Sequence, residues 1–327
     1  MDPSLNTDGT PATPQIKLRT AALSVVSNTC LILLKVVAGS ITGSVAILTE
    51  AVHSSIDLVA SMVAFFSVRK AGEPADESHR YGHEKLENLA AAIEGMLILV
   101  GSAAIAFQAI RHLTSGGHVQ RLGVGIGVVA FSLVANLIVS TVIARTARAT
   151  SSAALEGDAA HLRTDALTSL AVLVGLALVK ITGAQWLDPV IALVVAATIV
   201  VTGVRLLLGS SRVLVDEALP GDQVAAIRGA IEEFAGRGVV GYHELRTRQA
   251  GARRYVDLHV QFRRGTSLED AHRTAHELQD VIGARLGGAD VLIHLEPQDR
   301  VRPGEELRRA TAASASASGS AAASDRE

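Results

Sequence analysis

Six stretches of this chain are long and apolar enough to cross a lipid bilayer, near residues 17–39, 45–69, 86–113, 121–147, 152–181 and 186–209. A spanning helix needs about 20 such residues. Inside hydrocarbon every backbone N–H and C=O must be satisfied within the segment, so an apolar run of this length becomes an α-helix. With 49% hydrophobic residues overall, the chain reads as an α-helical membrane protein of six transmembrane helices set in a lipid bilayer.

The basic residues divide unevenly between the two ends of these spans. The gaps after the first, third and fifth spans hold only Arg111, Arg121 and Lys180, whereas the other side gathers Lys17, Arg19, Arg69, Lys70, Arg80, Lys85, Arg145, Arg148 and Arg212. By the positive-inside rule both termini are cytoplasmic. The Ala/Arg/Gly-rich composition points to a bacterial plasma (inner) membrane. A net charge of -2 gives no case for nucleic-acid binding, and the single cysteine, Cys30, excludes an intrachain disulfide framework. The polar, proline-containing residues 1–16 read as a disordered tail rather than a signal peptide.

Past Ser210 the pattern changes. Val224–Phe234 and Leu268–Leu286 have helical periodicity, and Tyr242–Arg248, Tyr255–Phe262 and Val291–Glu296 alternate as strands. The segment Gln249-Ala-Gly-Ala252 supplies a turn. The α-β-β-α-β order predicts a small α+β domain over 210–300 after the membrane domain of 17–209, with its helices on one sheet face. A disordered tail follows over 301–327, Ala/Ser-rich and of low complexity from Ala310.

Two spans each carry a histidine followed four residues later by an aspartate: His53-Ser-Ser-Ile-Asp57 and His161-Leu-Arg-Thr-Asp165. Such pairs share a helical face, and ionisable groups at membrane depth face a partner, a cavity or an ion. Brought together, two imidazoles and two carboxylates form a four-ligand set suited to tetrahedral zinc. One pair alone would read as a polar packing contact or a proton relay; the repetition favours metal. Two carboxylates carry -2, which a divalent cation cancels and which protons cancel in its absence. That alternation is the physical basis of antiport.

Other groups are less determined. Asp76, His79 and His83, in the loop after the second span, form either a three-ligand site or a solvated charged connector. Strand alternation puts His259 opposite the apolar face of its strand and puts His294 with Glu296. His243 begins another strand, and His272 and His276 share a helix face. Their recurrence on non-core faces favours a second metal site. Gly123, Gly125 and Gly127 are expected to permit close helix packing, Asn28 and Asn136 to bond between helices, and Lys35 to snorkel outward. Glu50 and Glu94 are intramembrane carboxylates without an assigned partner.

At these residues the chain resembles the cation diffusion facilitator family of zinc transporters, from about Leu18 to Gln298. The resemblance is carried by Gly43-Ser-Val-Ala-Ile-Leu leading to His53-Ser-Ser-Ile-Asp57, by His79-Arg-Tyr-Gly-His83-Glu-Lys85-Leu-Glu, by Asp158-Ala-Ala-His161-Leu-Arg-Thr-Asp165 and by His243-Glu-Leu-Arg-Thr-Arg248. It implies a homodimer whose protomers each carry six spans and a cytoplasmic ferredoxin-like, metallochaperone-like domain. It assigns transport to His53, Asp57, His161 and Asp165, a loop site to Asp76, His79 and His83, and a cytoplasmic cluster to His243, His259, His272, His294 and Glu296. Some members carry aspartate where Glu296 stands. The resemblance further implies that Leu162 helps form a hydrophobic gate and that Lys85 pairs with Asp216 across the dimer.

The expected function is export of a divalent metal ion, zinc first, in exchange for protons. Iron, cobalt, cadmium, nickel or manganese is the alternative cargo. A membrane-anchored metal sensor is a rival that leaves the paired intramembrane charges without purpose. An enzyme is not expected: a metallohydrolase needs an open coordination position and a general base, and no His-Glu-x-x-His motif occurs.

Overall fold

The computed structural model describes residues 13–42, 45–115, 125–184 and 186–298. The residues expected to form the tails lie outside this range, except 13–16, which are helical. In the second helix the side chains of residues 45–50, 52 and 53, among them Glu50 and His53, are outside the described part, as is Gly123. The chain divides after Val215 into two compact units.

The first unit is six long helices: α1 (Thr13–Thr42), α2 (Val45–Ala71), α3 (Lys85–Ser115), α4 (Gly125–Thr150), α5 (Ala153–Thr182) and α6 (Leu187–Leu214). Five of them meet the length and composition of a membrane span among the described residues, and α2, at 27 residues, is of the same length. All six helices run past the expected spans at their C-terminal ends, and α1 and α3 at their N-terminal ends too, because turns outside the apolar run continue the same hydrogen-bond ladder. Ser152 caps α5 by accepting the Leu155 N–H at 3.4 Å. Gly183, at φ +72°, closes it by donating to Val179 at 2.8 Å. Pro189 falls in the first turn of α6, where no intrahelical N–H is owed.

Large apolar side chains such as Val26, Phe66, Val100, Phe107, Ile138 and Val194 are exposed on this unit, the surface a bilayer covers. Inside, Ala21, Val68, Ala90, Ile143, Leu155 and Leu162 pack together. Small residues set close approaches, though Gly127 is not one of them, and the surroundings of Gly125, like those of Gly123, lie outside the described part. A Cβ on Gly127 would meet nothing. Instead α3 and α6 form the most extensive helix pair: a Cβ on Gly95 would come within 3.0 Å of the Leu207 backbone nitrogen, and one on Gly203 within 3.0 Å of Leu99. Asn28 bonds between helices, donating to Ser61 Oγ at 2.6 Å, whereas Asn136 Oδ1 finds no partner among the described residues. Lys35 does not snorkel: it is buried and donates Nζ to Ser54 Oγ at 2.6 Å.

The second unit contains α7 (Gly221–Glu233), a 3-10 turn (Ala235–Arg237), β1 (Val239–Ala250), β2 (Arg253–Phe262), α8 (Leu268–Arg285) and β3 (Ala289–Pro297), the expected α-β-β-α-β order. The sheet order is β1-β2-β3, with β1–β2 antiparallel and β2–β3 parallel. Gly251, at φ +55°, turns the hairpin, and α8 is the crossover that a parallel pair requires. Ile227, Ala230 and Ile231 of α7 and Ala271, Leu278 and Ile282 of α8 bury one stripe each against Val256, Leu258, Val260 and Phe262. One sheet face is thereby sealed and the other is left to polar side chains.

Candidate metal centres

Within the helical unit the i,i+4 spacing of α5 and one turn of α2 converge. His161 Nε2 lies 3.3 Å from Asp57 Oδ1 and 3.8 Å from Asp165 Oδ2. One ligand atom from each of the three residues lies within 4.8 Å of the others. Asp57 and His161 are buried, and the Asp165 side chain is 20% exposed. His53 sits one turn before Asp57 on the backbone of α2, but its side chain lies outside the described part. Leu162, the expected gate residue, is buried in the apolar core beside His161.

Two further carboxylates border this group. Asp158, fully buried, accepts Ser24 Oγ–H at 2.9 Å and Ser61 Oγ–H at 3.2 Å. Glu94 on α3 is also fully buried, with Oε2 3.7 Å from His161 Nδ1. Sequence reasoning left Glu94 without a partner, because its contact is set by the α3–α5 crossing and not by spacing along one helix. Asp158, quoted only as part of a motif, carried a local signal: it lies one turn from His161.

At the ends of the helices, Lys17 Nζ meets Glu87 Oε1 at 2.9 Å, and Ser152 Oγ donates to the other oxygen of Glu87. This joins α1 and α3 to the start of α5.

Between α2 and α3 the loop folds back on itself. Asp76 Oδ1 accepts the backbone N–H of Ser78 at 2.9 Å and of His79 at 2.6 Å. Those bonds, the His79 N–H first, hold the Asp76 carboxyl below the usual carboxylate range. Gly82, at φ +87°, takes the left-handed turn that returns His83 toward Asp76. His79 Nδ1 and His83 Nε2 each lie 3.3 Å from an Asp76 oxygen. The three expected loop residues are therefore together.

In the second unit, cross-strand register builds the cluster. His243 pairs with His259 and His259 with His294, a row across all three strands on the face away from the helices. Glu296, two residues beyond His294, accepts from His243 Nε2 at 2.8 Å and His259 Nδ1 at 3.0 Å. Those bonds, the His243 one first, depress the Glu296 pKa. His294 Nε2 is 3.8 Å from Glu296 Oε1. A bulge between His243 and Arg246, with Glu244 at φ +50°, brings Glu244 Oε2 to 3.6 Å from His259 Nε2. Glu244 was missed because strand alternation turns it away from His243.

His272 is not in this row within one chain. The buried stripe of α8 faces the sealed side of the sheet, so His272 is exposed on the outer side, its Nε2 3.2 Å from that of His276. Asp216, expected to pair with Lys85 of another protomer, is 3.6 Å from Arg248 in its own unit.

Residues 21–215 match the family model of the cation efflux transmembrane domain, and residues 219–298 match that of the cation efflux protein cytoplasmic domain. Among curated relatives, an uncharacterized transporter of Synechocystis is 34% identical over 85% of this chain and 89% of its own length. The cation-efflux pump FieF of Serratia proteamaculans is 35% identical over 89% of this chain and 96% of its own. A solved structure of the metal-bound C-terminal domain of the CzcD transporter from Thermotoga maritima is 26% identical, covering 25% of this chain and 93% of that chain, with a TM-score of 0.23. With paired intramembrane histidine and carboxylate donors, a metal-type cluster in the second unit and both family domains in order, the chain belongs to the cation diffusion facilitator family of cation-efflux transporters.

Proposed function

We propose that this transporter exports zinc from the cytoplasm in exchange for protons, by alternating access, as a homodimer in a bacterial inner membrane with both termini cytoplasmic. The observation that carries this reading is the convergence of Asp57 Oδ1 and Asp165 Oδ2 on His161 Nε2. Neutral imidazole nitrogen with carboxylate oxygen is a borderline donor set that suits zinc, and no thiolate competes for softer ions.

Zinc enters an inward-facing cavity and is held by Asp57, His161, Asp165 and His53. Its two charges cancel those of the carboxylates in a low-dielectric surround. Rocking of the helices opens the same residues outward. Protons then displace the ion, and the protonated ligands return inward. Leu162, by the family resemblance, closes the apolar gate beside His161. Metal at Asp76, His79 and His83, and at the His243, His259, His294 and Glu296 row, biases the dimer toward the transporting state. His272 joins the second of these from the partner protomer, and Lys85 pairs with Asp216 across the dimer.

The test is zinc flux, with a pH-sensitive dye, in proteoliposomes carrying wild type, Asp57→Ala or Asp165→Ala. The wild type is expected to move protons against zinc, and both variants to fall to background. Wild-type flux in either variant refutes the site. A panel of iron, cobalt, nickel, cadmium and manganese fixes the cargo.

A further inference from the structure

Glu94 is a carboxylate that the ligand set does not use. It is fully buried on α3, and neither Oε1 nor Oε2 has a hydrogen-bond partner among the described residues. His161 Nδ1 is in the same condition, buried and unbonded. These two orphans face each other at 3.7 Å. The opposite nitrogen of the same ring, Nε2, looks toward Asp57 and Asp165. The imidazole is thus strung between a pair of carboxylates on one edge and a single carboxylate on the other.

The backbone makes room for this arrangement. A Cβ on Gly157, one turn before His161, would lie 3.1 Å from both Cβ and Cγ of Glu94. Any larger residue there would push α3 and its carboxylate away from α5. Burying a carboxylate without a partner is costly, so a site that builds space for one has to gain from it. An imidazole ligates through one nitrogen while the other keeps its proton, and ligating histidines commonly donate that proton to a carboxylate that fixes ring orientation.

We propose that Glu94 is a positioning residue for the transport site. It accepts the Nδ1–H of His161, selecting the tautomer whose Nε2 lone pair points at the ion. Reaching a normal N–H···O distance from 3.7 Å takes a movement of about 0.8 Å. The inference rests on the reading of His161 as a transport ligand. It adds α3 to the two helices that supply the ion's direct ligands.

The test compares wild type, Glu94→Ala and Glu94→Gln in full-length reconstituted protein, with Asp57→Ala as control. KM and Vmax for zinc are measured and normalised to folded protein by size exclusion and thermal melting. Loss of an orienting partner is expected to raise KM by about 10- to 100-fold in Glu94→Ala. The amide oxygen of Glu94→Gln accepts the same N–H and should hold KM within about threefold of wild type. Where the alanine cavity prevents folding, Glu94→Met supplies an apolar side chain of similar size and the same expectation. An unchanged KM in the alanine or methionine variant overturns the inference, as does a glutamine variant as impaired as either. In those cases a dead Asp57→Ala leaves the transport site itself standing. Wild-type flux in Asp57→Ala sinks both.

Discussion

In the membrane unit the paired side chains of His161 and Asp57 are 9% and 11% exposed, whereas in the second unit Glu296 and His259 are 17% and 24% exposed and His294 is 64%. Both clusters are built from imidazole and carboxylate. Among the described residues one is assembled from an i,i+4 pair on α5 with Asp57 of α2, and the other from a single row across three strands. Burial changes what the same donors do. In the helical cluster desolvation penalises net charge, which under the proposed function a cation or protons would cancel. On the open sheet face Glu296 is ionised at neutral pH as an ordinary glutamate is, and its histidine bonds, the His243 one first, lower its pKa further. Under the proposed function an ion held there would exchange directly with water, which suits sensing more than carriage.

The largest expected effect separates these roles. Asp57→Ala should reduce zinc flux by at least about 100-fold, beyond the loss of an outer partner, while His259→Ala should keep maximal flux and alter only its dependence on zinc. Equal losses in both would erase the distinction. Next in size is a packing test confined to the sheet unit. Leu258→Ala should destabilise that unit by about 2–5 kcal/mol. Hydrogen exchange on the whole chain should find the protection of α1–α6 unchanged.

A pH test follows. The folded-state pKa of Glu296 is depressed, so its stabilising bonds are present above the unfolded glutamate value and are lost as pH falls through the folded one. Metal-free protein should therefore lose stability in the second unit on going from roughly pH 5 to pH 3, and Glu296→Gln should flatten that slope. A slope unchanged by the substitution would detach Glu296 from the cluster's energetics. Smallest is Ser267→Ala, which removes the cap that accepts the Asp270 N–H at 3.1 Å and should cost about 1 kcal/mol, read as a lower melting temperature of the second unit alone.

Much of this was legible in the residues. The uninterrupted apolar runs gave the helices, and alternation gave the strands, because period and hydropathy are local. His161 and Asp165 could be matched with Asp57 because two helices repeated one spacing. What escaped depended on how elements meet. Glu94 acquires its neighbour from the α3–α5 crossing, Lys35 is buried where Ser54 Oγ accepts a hydrogen bond from its Nζ, and Glu244 is turned toward His259 by a bulge that no alternation rule anticipates. His272 was assigned to the cluster by the family resemblance, and within one protomer the sealed side of the sheet separates α8 from the row.

The close approach of Gly95 on α3 to the backbone of Leu207 and Gly203 on α6 has a mechanical consequence. What Gly95 meets there is backbone and not a side chain that can change rotamer, so the two helices cannot creep past each other at that point by small side-chain adjustments. The crossing is a weld rather than a bearing. Any swing of α3 carries α6 with it, and a methyl group added at Gly95 would act as a wedge driven into that joint.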